Sequence, residues 1–403
     1  MSGVRARLRI SAWWSLVTLD DIEAEQLMRT AKTRMDGGDP ASAREMLERA
    51  AGARPADINI LMLLTVACRM QRDNRAALNT IAAALKLDPY SFLAHLSRGA
   101  ALEDLGERVA AADAYRSALA LAPPKSKLQP PLQASLAHAT QAVKLESERL
   151  QRYLLEAVAA ERTHYPEREL RRFDECLNIF SGCARPFVHE CSLLHLPQLA
   201  AIPFYDESLF PWLSRLEQAT GVIREELTAV IAEESKKFHP YIQYPEGSPL
   251  RQWKELNHSP SWTAFDLWRD GKKFEANCAR CPNTAALLAA LPMAEQQDCA
   301  PTAMFSVLAP HTRIPPHTGS TNVRLIVHLP LILPPGCRFR VGNEIRDWQL
   351  GRAWVFDDTI EHEAWNDSDD TRVILIFDVW NPMVTEIERA LVSSMMNARR
   401  QFL

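Results

Sequence analysis

A repeat with a period of 34 residues constrains the first third of this chain more than any other feature. Pro55, Pro89 and Pro123 stand at that interval. Four further columns of small or apolar residues keep the same phase: Ala31, Thr65 and Gly99; Ala43, Ala77 and Ala111; Leu47, Ile81 and Tyr115; Ala50, Ala84 and Ala118. Small residues let two helices approach closely and proline ends the second, so the pattern predicts stacked helix pairs.

This pattern resembles the tetratricopeptide repeat. It predicts three helix pairs over residues 22–125, with turns at Gly38, Arg72 and Gly106, followed by a helical connector over 126–180. The alternative is an alanine-rich bundle with chance phasing, which five aligned columns disfavour. Such arrays bind peptides or proteins on a concave face. Three alternatives stay open: the repeats bind a protein or peptide substrate, a separate partner, or only the C-terminal domain of the same chain.

Composition limits the classes of function. The chain has 403 residues, 47% hydrophobic and 24% charged, which is ordinary for a globular protein of two or three domains. The formal net charge is −4 and the pI is about 6.3. These values disfavour a nucleic-acid partner, because nucleic-acid-binding surfaces are basic.

The apolar stretch Ile10–Leu19 and the eight cysteines bear on the compartment. The stretch is too short to span a bilayer, and no small-residue cleavage site follows it. The cysteine spacing is not that of a disulfide-rich module. Cys278 and Cys281 lack a second pair at zinc-finger spacing, so buried thiols are favoured over a structural zinc. We expect a cytoplasmic protein without a membrane span.

The last part of the chain has the residue pattern of a β-domain. Short apolar segments are separated by Pro, Gly and Asp turns, and the predicted strands are residues 304–308, 323–333, 338–341, 353–356 and 372–380. Many short strands with such turns favour a sandwich or barrel. The sequence thus predicts a multidomain α plus β protein, with the helical repeats followed by a jelly-roll over residues 181–403.

Two histidines in this β-domain are candidate metal ligands. His317 lies in a proline-stiffened loop that enters a strand, and His362 lies in the segment 356–365. Two imidazoles from separate strands suit Fe(II) with positions open for a co-substrate. Arg324 and Arg372 on strands suit a bidentate carboxylate clamp. On spacing alone, histidines beside strands are more often structural than metal-ligating.

Four motifs carry a family resemblance over residues 196–382. They are Trp262-x-x-Phe265-x-Leu-Trp268, His317-Thr-Gly-x-Thr-Asn322-x-Arg-Leu-x-x-His328-Leu, Phe356-Asp-Asp-x-x-Glu-His362-Glu-x-Trp365 and Asp378-Val-Trp-x-Pro382. In order, spacing and identity this part of the chain resembles the aspartyl/asparaginyl β-hydroxylase family. The resemblance implies a double-stranded β-helix that uses Fe(II) and 2-oxoglutarate to hydroxylate a peptidyl side chain, Asp or Asn by analogy.

The resemblance also assigns roles to residues. It implies that His317 and His362 hold the iron and that Arg372 pairs with the distal carboxylate of 2-oxoglutarate, with Ser306 and His328 beside it. The carboxylate that usually completes the iron site in this fold would lie at Gly319; the family is similar in lacking it. Asp357 and Asp358 are interpreted as turn residues or as second-layer residues behind the ligands, not as ligands.

Two departures from the family pattern are visible. Vertebrate members carry a co-substrate arginine where this chain has Ile326, and Arg324, two residues earlier on the same strand face, is expected to substitute. The alternative for Arg324 is a structural salt bridge with a carboxylate such as Asp378. Vertebrate members also have a cysteine pair near the site, whereas this chain keeps Cys278 and has Ala285.

Two other classes of function remain open at this point. One is a non-catalytic repeat adaptor with an inactive jelly-roll, which Gly319 and Ile326 favour and the retained histidines and Arg372 disfavour. The other is a zinc or nickel cupin, for which a third protein ligand is lacking. A lipid or a small amide as acceptor is also open, because proteins of one fold differ in substrate.

Overall fold

The computed structural model of the protein describes residues 19–234 and 237–402. The chain divides into two compact units, Met1–Ala184 and Arg185–Leu403. The apolar stretch that begins at Ile10 lies outside the described residues, apart from Leu19. Among the described helices, none is long and apolar enough to cross a membrane.

The first unit contains the three predicted helix pairs. They are α1 (Leu19–Asp36) with α2 (Pro40–Ala53), α3 (Ile58–Met70) with α4 (Asn74–Leu87), and α5 (Phe92–Asp104) with α6 (Arg108–Leu121). The longer α7 (Pro130–Ala157), the short α8 (Ala159–Arg162) and α9 (Glu167–Ser181) follow. The predicted array of helix pairs is confirmed.

The turn residues of the three pairs were predicted correctly from the repeat. Gly38, Arg72 and Gly106 have positive φ angles of 80°, 60° and 80°. Asp39 and Asp73 then cap the second helix of their pairs by accepting backbone N–H groups three residues on. An aspartate at this position satisfies amides that have no partner within the helix.

The repeat columns are the core of the first unit. Leu47, Ile81 and Tyr115 are all buried, and so are the alanines in phase with them. Tyr115 is larger than its two equivalents, and the residue that faces it in the previous helix is Gly99. A Cβ at position 99 would collide with the Tyr115 ring. The larger side chain at position 115 is therefore accommodated by the absence of a side chain at position 99.

The second unit is built on two antiparallel sheets. The larger has the strand order β1-β2-β4-β11-β6-β9 with β3 beside β2, and the smaller has the order β5-β10-β7-β8. The strands are β1 (His239–Pro240), β2 (Trp262–Arg269), β3 (Lys272–Lys273), β4 (Ala303–Leu308), β5 (Thr312–His317), β6 (Arg324–Ile332), β7 (Cys337–Val341), β8 (Glu344–Asp347), β9 (Trp354–Phe356), β10 (His362–Asn366) and β11 (Arg372–Trp380). Two facing antiparallel sheets are consistent with the expected jelly-roll.

Helices cover the outer face of the larger sheet. They are α10 (Leu213–Gln218), α11 (Thr220–Glu234), α12 (Glu275–Arg280) and α13 (Pro282–Ala289). Their apolar side chains form one core with Leu325, Val327 and Leu329 of β6. A smaller core lies between the two sheets. The last helix, α14 (Glu386–Phe402), packs through Val392 and Met396 against Val323.

All five strands that were predicted with bounds are present in the structure. The predicted strand 372–380 coincides with β11, and the other four predicted strands match β4, β6, β7 and β9 within one residue at each end. The sequence predicts a loop where β5 lies, because this segment contains Pro315 and Pro316. It is the edge strand of the smaller sheet, where proline is tolerated since the outward N–H has no partner to lose.

Candidate functional site

The histidines at 317 and 362 lie side by side. His317 ends β5 and His362 begins β10, and the two residues are directly paired across these antiparallel strands. Their ring centroids are 4.0 Å apart. Strand pairing places both side chains on the same face, so the two rings lie together.

Backbone hydrogen bonds orient both rings. The Nδ1 of His317 lies 2.8 Å from the Pro315 carbonyl oxygen, and the Nδ1 of His362 lies 3.0 Å from the Ile360 carbonyl oxygen. A carbonyl only accepts, so each Nδ1 carries the proton and each Nε2 keeps its lone pair. Burial lowers the pKa of both imidazoles. A lowered pKa favours the neutral imidazole, which is the form that binds a metal ion.

A cavity of about 370 Å³ between the two sheets contains both rings. Most of its wall is apolar. The apolar and aromatic residues that line it are Tyr241, Ile242, Trp253, Trp262, Met304, Ile314, Ile326, Phe339, Trp348, Phe356, Ala364, Ile374 and Ile376. An apolar cavity of this size with a few convergent polar groups is the usual form of a small-molecule site.

Arg372 lines this cavity and lacks the partner that a buried cation needs. Its side chain is 1% exposed, and its Nε and Nη1 have no hydrogen-bond partner. The guanidinium lies 5.0 Å from the centre of the Trp348 ring. Burial lowers the pKa of Arg372 to about 10. An unpaired buried guanidinium is strongly unfavourable, which points to an anionic ligand at this place.

His328 and Ser306 lie in the same cavity. The Nδ1 of His328 is buried without a partner. The pKa of His328 is well below its ordinary value, first because of burial and then because of the positive charge of Arg372. Ser306 accepts a hydrogen bond of 3.0 Å from the indole N–H of Trp262, which leaves its own O–H free to donate into the cavity.

Arg324 is not among the residues that line the cavity. Its Nη1 lies 2.6 Å from a carboxylate oxygen of Asp378, and both side chains are largely buried. Of the two roles considered from the sequence, the structure has the salt bridge with Asp378. Arg324 was expected to take the place of a cavity arginine at position 326, but its side chain is paired with Asp378 outside the cavity lining.

Asp358 is the functional candidate that the sequence interpretation undervalued. Its carboxyl group lines the cavity, and a Cβ placed on Gly319 would collide with it. The Gly319 N–H also donates to the Asp358 backbone carbonyl at 2.6 Å. The Asp358 side chain thus fills the space that a ligand side chain at 319 would need. Burial, and then the neighbouring Asp357, raise the pKa of Asp358 to about 7.

The absence of a side chain at Gly319 was a signal that could have pointed to Asp358. Two further wall residues, Tyr241 and Trp348, had no signal in the sequence, because they come from segments far from the histidine motifs.

A segment over residues 187–196, here called the strap, contacts the loops that adjoin the two histidines. The Ser192 N–H donates to the Gly319 carbonyl, and the Leu196 N–H donates to the Asn322 side chain at 2.8 Å. His189 lies 3.2 Å from the Asp357 carboxylate, and both side chains are buried. One segment therefore fixes the loop after β5 and the loop before β10.

The fold and this cavity define a double-stranded β-helix domain with a neutral histidine pair and a buried, unpaired arginine. Residues 217–382 match the family model described as aspartyl/asparaginyl beta-hydroxylase. The resemblance drawn from the motifs is thereby confirmed for this part of the chain. Among the described residues no group of three His, Cys, Asp or Glu side chains could hold a metal ion.

Curated relatives match the same half of the chain. Human aspartyl/asparaginyl beta-hydroxylase is 34% identical over 207 residues, which cover 50% of this chain and 26% of the human protein. An ornithine lipid ester-linked acyl 2-hydroxylase from Rhizobium tropici is 37% identical over 193 residues, which cover 47% of this chain and 64% of that protein. The chain thus spans less than two thirds of either relative.

The first unit has likenesses among solved structures. A tetratricopeptide repeat domain from Arabidopsis is 19% identical, with a TM-score of 0.28, and the match covers 31% of this chain and 97% of that domain. A TM-score this low carries no argument. The resemblance to tetratricopeptide repeats therefore depends on the 34-residue phase and on the three helix pairs of the structure itself.

Proposed function

We propose that the second unit is an Fe(II)- and 2-oxoglutarate-dependent hydroxylase of a peptidyl side chain, Asp or Asn by analogy with the human relative. The observation that carries the proposal is Arg372, a buried guanidinium with two unpaired nitrogens in the cavity that contains the histidine pair. A dicarboxylate such as 2-oxoglutarate fits this arrangement, because one carboxylate can pair with Arg372 while the keto-acid end reaches the histidines.

The residues present fit both groups. His317 and His362 each have an Nε2 lone pair available for Fe(II), and Arg372 with His328 and Ser306 offers donors to a carboxylate. When bound together, iron and 2-oxoglutarate use dioxygen to replace a C–H bond by C–OH, with release of succinate and carbon dioxide. The protein orients these groups, and the apolar wall excludes water.

The backbone carbonyls of Pro315 and Ile360 hold the two imidazoles in the tautomer that leaves Nε2 unprotonated. Such outer hydrogen bonds fix ring orientation and strengthen the ligand. Asp358 occupies the space beside Gly319, so the third position that a carboxylate usually takes stays without a protein ligand from that loop. The Trp348 ring under Arg372 keeps the guanidinium in place by a cation–π contact.

Other expectations belong to the same proposal. We propose domain limits of 22–125 for the repeats, 126–180 for the connector and 181–403 for the hydroxylase domain, in a cytoplasmic protein. The repeats would engage a protein or peptide substrate. The Rhizobium relative is named as an acyl 2-hydroxylase, so an acyl chain is a second candidate acceptor for this protein.

Succinate formation tests the proposal. The full chain with Fe(II), 2-oxoglutarate and ascorbate should form succinate, and peptides or acyl compounds that serve as acceptors should increase the rate. His317→Ala, His362→Ala and Arg372→Met should lower succinate formation to background. Arg338→Met is the matched control, because Arg338 is on the surface and half exposed. Succinate formation that is unchanged in all three site variants would refute the proposal.

A further inference from the structure

The charges that face the cavity are few. Among the described residues that line it, Arg372 is the one arginine or lysine and Asp358 is the one carboxylate. The two histidines proposed to hold the metal each direct Nδ1–H to a backbone carbonyl, so neither donates that proton to a ligand in the cavity. Under the proposed function, on which this inference rests, Arg372 is committed to the co-substrate, and no other basic side chain of the described lining remains for the acceptor.

Strand geometry places the two charges at opposite ends. Alternate residues of β11 face the cavity, so Arg372 and Ile376 are separated by about 13 Å along the strand. One step farther, Asp378 lies opposite Ile326 of β6. Ile326 in turn pairs with Phe356, two residues before Asp358. The end away from Arg372, here called the acceptor section, is therefore bounded by Ile326, Ile376 and Asp358.

The cation nearest to the acceptor section is already neutralised. Arg324 is paired with Asp378 at 2.6 Å, and its guanidinium also donates to the Ser320 hydroxyl at 3.4 Å. The other Asp378 oxygen accepts the Thr302 N–H at 2.8 Å. With both groups held in this way, Arg324 is directed to the protein rather than to a ligand. Ile326, which does face the cavity, brings no charge.

We propose that the acceptor section receives an uncharged group, and that Ile326 and the Arg324–Asp378 pair determine this specificity. A carboxylate there would lose its hydration, meet no basic side chain and lie near Asp358, all of which disfavour it. A carboxamide or an aliphatic C–H group carries none of these penalties. Of the acceptors considered above, an aspartyl side chain is excluded, and an uncharged acceptor such as asparagine is selected.

Binding of a second anion tests the inference without turnover. The full chain is saturated with 2-oxoglutarate and Zn(II), a redox-inert metal, and titrated with trifluoroacetate while fluorine NMR line widths are recorded. Wild type and Ile326→Leu should show no saturable binding. Ile326→Arg, which adds a cation to the section, should bind trifluoroacetate at least about tenfold more tightly. Asp378→Asn, which frees Arg324, should also gain binding.

Two results would overturn the inference. One is saturable trifluoroacetate binding by wild type that disappears in Arg324→Gln, because Arg324 would then serve the cavity. The other is an absence of any gain in Ile326→Arg and Asp378→Asn when both fold. The affinity for 2-oxoglutarate, measured in the same samples, reports on the proposed function separately, since it depends on Arg372 and not on the acceptor section.

Discussion

Gly319 and Asp358 show how one missing side chain shapes the site. A methyl group at 319 would enter the space of the Asp358 carboxyl. We therefore expect Gly319→Ala to lower the free energy of unfolding of the second unit by about 1–3 kcal/mol, the usual range for overpacking. In an Asp358→Ala background the same change should cost much less, because the obstructing carboxyl is gone.

Urea unfolding followed by tryptophan fluorescence measures this, because eight of the ten tryptophans, from Trp212 onward, belong to the second unit. Gly221→Ala is the control, since a Cβ at 221 meets no atom within 4 Å. Equal losses from Gly319→Ala in both backgrounds would show that the two positions are not coupled.

The site residues differ in how far the sequence could place them. The roles expected for His317, His362 and Arg372 came from the family resemblance of their motifs, because spacing alone favoured structural histidines. The role of Arg324 could not be settled, since strand alternation gives the face of a residue but not the partner that its long side chain reaches. The contact between Asp358 and Gly319 depends on loop conformation, which no periodic pattern encodes.

At the scale of elements, helix packing in the repeats depends on matched side-chain sizes. Gly99→Ala would collide with the Tyr115 ring, so it should lower the free energy of unfolding of the first unit by about 1–3 kcal/mol. Gly52→Ala is the matched control: it lies in α2 with open space around it and should be neutral or stabilising by up to about 1 kcal/mol.

Thermal unfolding followed by circular dichroism distinguishes the two variants. Tyr115→Leu should rescue Gly99→Ala, because the equivalent position of the first repeat is Leu47. If both glycine variants have the same stability, the packing account of the repeat is wrong.

The strap adds a pH dependence to the second unit. The Asp357 carboxylate, 3.2 Å from the His189 ring, raises the pKa of His189 above 6.5, with burial acting in the opposite direction. A raised pKa in the folded state means that this contribution to stability is complete below about pH 6.5 and is lost as the pH rises through the folded value. We expect wild type to lose stability from about pH 6 to pH 8 more steeply than His189→Gln.

Urea midpoints across that interval provide the measurement. His311→Gln, a change at an exposed histidine, should leave the wild-type slope unchanged. A slope that is the same in His189→Gln as in wild type would show that the His189–Asp357 pair does not contribute.

Fold class was accessible from the sequence because it depends on periodic features. The 34-residue phase predicted the helix pairs, apolar alternation predicted β6, and a continuous apolar run predicted β11. Strand β2 was missed although most of it is buried, and so were β5, which contains two prolines, and β8, Glu344–Asp347, which is short and polar. Strands β5 and β8 are edge strands of the smaller sheet, where pairing with one neighbour matters more than the composition of the strand itself.

For the whole molecule, the division after Ala184 predicts that each unit folds independently of the other. Each unit has its own cores, so a fragment of residues 185–403 should fold by itself and unfold cooperatively. Its affinity for 2-oxoglutarate should equal that of the full chain, because every cavity residue lies within it. An insoluble fragment beside a soluble full chain would mean that the units share a core.

We propose above that the cavity holds 2-oxoglutarate between the histidine pair and Arg372. Equilibrium binding of 2-oxoglutarate tests this most directly. Calorimetry of the full chain with Fe(II) in the absence of oxygen should give one 2-oxoglutarate per chain. Arg372→Met should weaken this affinity at least about 30-fold, as expected for a buried charge that loses its partner, and Arg338→Met should not change it. Wild-type affinity in Arg372→Met, or no binding to the wild-type chain, would contradict the account.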